Sequence, residues 1–112
     1  MQDKSLKLIG DVADAASFII EQTRNISAEN YVNNRLLRQA VERNFEIIGE
    51  AVNQLRKIDP ATAALITDAD RIVAFRNVLS HGYSLIDHTH VWRVIVDALP
   101  KLLREVQELI DT

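Results

Sequence analysis

Cysteine is absent from the chain, which removes disulfides, thiolate nucleophiles and zinc-thiolate centres together. Glycine and proline are scarce, at three and two positions among 112 residues, a profile of a compact helical protein rather than a disordered one. No stretch approaches the roughly 20 apolar residues that a membrane-spanning helix needs. The N-terminal MQDKSLKLIGDVADAA carries acids where a signal peptide would have an uninterrupted apolar run. A soluble, cytoplasmic protein is expected. Cations are outnumbered, with 13 Lys plus Arg against 16 Asp plus Glu and a net charge of −3, the wrong balance for gripping nucleic acid with the whole surface. RNA is then left with a local cationic cleft. Most of the cations are arginine, whose planar fork suits phosphate and carboxylate.

What the chain does have is helical periodicity. Ile9, Val12, Ala13, Ala16, Ile19 and Ile20 recur at three- and four-residue spacing, predicting a helix over about 3–24. Ser27 is a suitable N-cap for a long second helix, whose core face runs Leu37, Val41, Phe45, Ile48, Val52 and Leu55, with a bend expected near Asn33 and Asn34. Asp59-Pro60 marks a boundary and opens a short helix over 60–66. Thr67 or Asp68 caps the next helix, which carries Ile72, Val73, Phe75, Val78 and Leu79 and runs to about His81. Gly82 fits the left-handed position that ends it. Asp87 caps a last helix carrying Val91, Ile95, Leu99, Leu102, Val106 and Leu109, kinked around Val96 to Pro100 because proline lacks an amide and crowds the preceding turn. No alternating strand pattern competes. The expected fold is an all-α antiparallel bundle of four main helices plus a short one, a single domain over 1–112. The apolar surface wraps widely around the last helix through Trp92, Val94, Leu103 and Ile110, and either the neighbouring helices or a second copy of the chain would cover it.

The candidate chemistry lies in RNVLSHGY, residues 76–83. Arg76 and His81 are five apart, about 140° around an ideal helix, so one copy does not present them on one face. A two-fold dimer packing these helices together would bring both pairs to one groove. His81 sits at the negative end of the helix macrodipole, which favours imidazolium and suits a general acid or base. Arg76 can hold a phosphate and stabilise charge on its oxygens, and Gly82 leaves room for it. The chemistry suggested is phosphodiester cleavage without a metal. The plainer reading makes His81-Gly82 a helix stop and Tyr83 a packing residue. His88 and His90 are read as solvated first-turn residues with no metal set around them. Glu42, Glu46 and Glu50 form an i, i+4 stripe on the long helix. Like charges at that spacing call for a cation against them, with Arg76 or Arg71 the candidates.

RNVLSHGY, preceded by RIVAF and followed by IDHTHVW, together with ERNFEIIGEAV in the long helix, resembles the HepT-like branch of the HEPN superfamily over most of residues 35–103. The resemblance implies a homodimeric HEPN-type toxin that cleaves RNA without metal or cofactor. It makes Arg76 and His81 the essential pair and Asn77 the polar residue that follows the arginine. Tyr83 becomes the acceptor of adenylate from ATP, transferred by a partner nucleotidyltransferase antitoxin; a bulky anion two residues from His81 would block the phosphate site. Glu50 falls in the GEA segment as a supporting residue with no catalytic role carried over. Two positions depart from the pattern, Ala69 where many relatives have tryptophan and Ser84 where they have an aromatic, and both look like packing or groove lining. A non-catalytic subunit that docks a nucleotide or the nucleotidyltransferase through the same residues is the alternative, and a purely structural dimer module a third.

Overall fold

The computed structural model describes residues 1–81 and 85–112. Seven helices occur among them: α1 (Asp3–Thr23), α2 (Ala28–Val32), α3 (Arg35–Ile58), α4 (Pro60–Ala63), α5 (Ala69–His81), α6 (His88–Asp97) and α7 (Leu99–Asp111). No strand is present among the described residues, and no helix there is long and apolar enough to cross a membrane.

Local chemistry explains most of the boundaries. Asn25 takes the left-handed region at φ 63° just past α1, a conformation asparagine tolerates better than most residues. The Ser27 side chain accepts from the Asn30 amide and starts α2. The expected bend at Asn33 and Asn34 is a full break: Asn34 caps α3 by accepting from the Leu37 amide, a competing local bond that ends one helix and begins another. Asp59 accepts from the Thr62 amide and hydroxyl and from the buried Ser5 hydroxyl. These bonds hold its carboxyl below the usual range, the Thr62 hydroxyl first. Asp87 accepts from the His90 amide at the head of α6. The expected kink is likewise a break, at Ala98, with Pro100 in the first turn of α7 where its missing amide costs nothing. The bundle expected as four long helices thus has two of them divided, and the short helix ends at Ala63 rather than at 66.

The core is built from the faces that periodicity picked out. Ile9, Val12, Ala16 and Ile19 of α1 meet Val41, Val52 and Leu55 of α3 and Val106 of α7, all fully enclosed. Each large side chain buried in this way stabilises the fold by about 1.5 to 3 kcal/mol relative to exposure. The Ser5–Asp59 bond joins the start of α1 to the end of α3, and Arg56 meets Asp70 at 2.8 Å at the start of α5. Both α1 and α5 therefore run antiparallel to α3. Trp92, Val94 and Leu103 are half-buried on the core while Ile110 is exposed, so neighbouring helices cover part of the wide apolar surface of α6 and α7 and leave the rest open.

Candidate active site

α5 lies across α3 at a glycine. A Cβ at Gly49 would overlap the Cβ and Cγ of Arg76 and stand 3.3 Å from the Ile72 carbonyl. The missing side chain is what lets the Arg76 stem rest on the α3 backbone. From there the guanidinium reaches along α3, and its Nη2 meets Glu50 Oε2 at 2.9 Å. Its Nη1 lies 3.3 Å from Asn77 Oδ1. Nε is enclosed without a partner, yet the side chain as a whole is 31% exposed. The stem is therefore buried and the charged tip is wet. Of the two cations expected against the carboxylate stripe, Arg76 is the one that meets it. Arg71 faces another cleft.

The tip opens into a polar cleft of ≈ 410 Å³ between α1, α3 and α5, lined also by Asp11, Arg43, Glu46 and Gln54. Sequence reasoning passed over Gly49 and Arg43. The only signal for the first was a glycine inside a helix, where it costs about 1 kcal/mol relative to alanine and so calls for a packing reason.

His81 is the last residue of α5 and is exposed. The contacts of Arg76 go to Glu50 and Asn77 and not to His81, as the 140° separation requires. Ala74, Asn77 and Val78 are exposed on the same helix, with Leu85 just beyond it. Val78 and Leu85 are 58% and 86% exposed, which leaves apolar surface beside the histidine. Gly82 and Tyr83 lie outside the described residues.

At the other end of the stripe, His88 is not the solvated residue its position suggested. Its side chain is 30% exposed, its Nδ1 is enclosed and lies 3.6 Å from Glu42 Oε2, and Glu42 is 17% exposed. Burial pushes the Glu42 carboxyl up; His88 and Arg38 oppose this and Glu46 adds to it. Tyr31 packs beside Trp92 with centroids 5.5 Å apart. Burial, then the Glu42 charge, raises its phenol, against the pull of Arg38.

Comparison with known proteins bears directly on this geometry. The family described as "Ribonuclease HepT-like" matches residues 12–109. The chain belongs to the HepT-like ribonuclease family. A "Putative RNase" of Methanocaldococcus jannaschii is 34% identical, covering 87% of this chain and 88% of that protein. Another "Putative RNase", from Caldanaerobacter subterraneus, is 30% identical over 88% of each. A "Probable ribonuclease HepT" of Thermococcus cleftensis is 28% identical over 88% of this chain and 89% of its own length. No solved structure matches. The HepT-like match spans α3 and α5 whole, so the Gly49 shelf, the Arg76–Glu50 pair and His81 all fall within it.

Proposed function

We propose that this HepT-like protein is an endoribonuclease toxin that acts as a homodimer, with Arg76 and His81 from each copy lining a shared crevice. The observation that carries the reading is Arg76 itself. A permanently charged guanidinium is fixed by the Gly49 shelf and Glu50, with a wet tip, five residues from an exposed histidine at the end of the same helix.

One copy keeps the two groups on different faces. Exposed Ala74, Val78 and Leu85 flank His81 and offer the apolar contact through which two α5 helices would pack. In that arrangement one imidazole takes the proton from a ribose 2′-hydroxyl as its oxygen bonds to phosphorus. The P–O5′ bond breaks, and the second imidazole protonates the departing 5′-oxygen. Arg76 holds the phosphoryl oxygens as charge builds on them. Metal and cofactor have no part in this scheme.

Silencing follows from position. Adenylate attached to the Tyr83 hydroxyl by a nucleotidyltransferase antitoxin brings negative charge within two residues of His81 and competes with RNA for Arg76.

The test is cleavage of RNA by purified, unmodified protein in chelator, beside Arg76→Ala and His81→Ala. Each variant is expected to lose at least about 100-fold in rate, the scale of removing an acid-base group or a charge-stabilising donor, with its melting temperature nearly kept. Intact wild-type protein that leaves RNA uncut would remove the enzyme reading in favour of a docking subunit. Mass measurement after incubation with the nucleotidyltransferase and ATP reads the modification, which should vanish in Tyr83→Phe.

A further inference from the structure

Three aromatic rings meet where the proposed reaction makes no use of them. α5 packs on α3 and stands off from α6 and α7. The gap is a cleft of ≈ 340 Å³, within the roughly 300 to 1,000 Å³ of small-ligand sites. Phe45 and Phe75 meet edge to face at 5.1 Å, and His90 sets its ring against Phe75 at 6.0 Å. Phe45 is buried, Phe75 half-buried and His90 exposed, so ring surface runs from the core to the mouth. Ile72, Val94 and Leu102 complete the apolar wall.

The polar groups at the mouth are unequally occupied. Asp68 faces Lys101 at 3.8 Å. Glu105 accepts from the Thr67 hydroxyl at 2.5 Å and from its amide at 3.2 Å. Arg71 lines the same cleft, is exposed, and has no carboxylate within ion-pair distance among the described residues. The uncommitted group is thus a guanidinium at the lip of an aromatic slot, a combination that suits a planar ring inside and a phosphate outside.

Position links this cleft to Arg76. Neighbouring residues of a helix leave it about 100° apart, and here Arg76 enters the cleft on the α1 side while Phe75 enters the one facing α6 and α7. A strand that crosses α5 passes from one to the other over a single helix diameter, roughly 10 Å.

We infer that the cleft between α5, α6 and α7 is a subsite for one unstacked base of the RNA, with Arg71 on an adjoining phosphate. The inference rests on the ribonuclease reading and adds to it a position on the substrate. Splayed bases of single-stranded RNA are held in this way, by aromatic surface for the base and cations for the backbone.

The test uses the full chain carrying His81→Ala, so that RNA is bound and not cut. A single-stranded RNA and a series in which one abasic site moves along it are titrated by fluorescence anisotropy. One position in the series is expected to bind about tenfold more weakly, within the range of base-aromatic stacking. Ala98→Trp, placed at the exposed mouth, should erase that dependence. Arg71→Ala is a surface change that leaves folding intact; it should weaken every member of the series and lower the salt slope by about one. A flat series, or a position dependence that survives Ala98→Trp with an unchanged salt slope in Arg71→Ala, overturns the subsite. If wild-type protein cleaves RNA normally while the series is flat, only the subsite falls; if it neither binds nor cleaves RNA, the ribonuclease reading falls with it.

Discussion

Glu42 and Glu50 sit on the same face of α3, eight residues and roughly 12 Å apart, and their surroundings make them different groups. Glu50 is 48% exposed and meets a guanidinium that cannot lose its charge. Glu42 is 17% exposed and faces an imidazole, with burial raising its carboxyl. A half-exposed pair such as Arg76–Glu50 adds little to stability, about 0.2 to 1 kcal/mol, so its worth lies in fixing where the guanidinium points. At the Glu42 end, enclosure sets the cost of charge. Spacing is identical in the two cases, and what separates them is how closely α5 and α6 cover the stripe.

The largest effect should come from closing the shelf under Arg76. Gly49→Ala supplies a better helix former, yet its methyl would meet the fixed stem of Arg76 rather than a flexible side-chain end. α5 must move away from α3. Overpacking of this kind costs about 1 to 3 kcal/mol, and if Arg76 holds the phosphate as proposed, RNA cleavage is expected to fall about 100-fold, the order of effect of small misplacements in a reacting site. Denaturant unfolding and initial cleavage rates check it together; a variant as active and at least as stable as wild type would mean that α5 is not seated on this glycine.

Glu50→Gln comes next, with an expected loss of about tenfold in kcat and little change in melting temperature, as for a side chain that positions another by a charge-assisted bond. Glu50→Asp should restore part of the rate. If Glu50→Gln cleaves faster than wild type, the carboxylate restrains Arg76 instead of aiming it, and the two ends of the stripe differ in a way opposite to that argued here.

Legibility in the sequence followed the range of the forces involved. The caps at Ser27 and Asp87 were readable because donor and acceptor lie three residues apart on one stretch of chain. The breaks at Asn33–Asn34 and at Ala98, just ahead of Pro100, were readable in place, since local chemistry weakens those turns, but not in severity, which depends on whether neighbouring helices hold the turn straight. A cation against the carboxylate stripe followed from like-charge repulsion, and Arg76 was one of two candidates. Gly49 was hidden because its constraint lies across two helices and leaves no periodic trace. His88 was misread for the same reason: a first-turn histidine is exposed by default, and only the packing of α6 on α2 beside α3 encloses its Nδ1. In the proposed dimer, Arg76 and His81 would converge only across two copies of the chain, and no local pattern encodes such a docking geometry.

The smallest effect falls at the other end of the stripe and concerns stability alone. Burial raises the Glu42 carboxyl above its unfolded value, which for a glutamate is about 4.3. Between those two values the folded protein holds a proton that the unfolded chain has released. Stability from this group is therefore highest below the unfolded value and falls as pH rises through the folded one. Asp59 runs the other way: its depressed carboxyl supports the fold above the unfolded value and loses that support as pH falls through the folded one. Glu42→Gln keeps the shape and removes the buried charge, so at pH 8 it should match or exceed wild type by about 0.5 to 1 kcal/mol, the size of polar changes at half-covered sites. Its stability should also decline less between pH 4 and pH 8 than that of wild type, with RNA cleavage unchanged. Urea unfolding at the two pH values measures both. A Gln variant less stable than wild type at pH 8 would mean that the Glu42–His88 contact holds α6 to α3 more strongly than burial opposes it, and the contrast between the two ends of the stripe would reduce to a difference in partner.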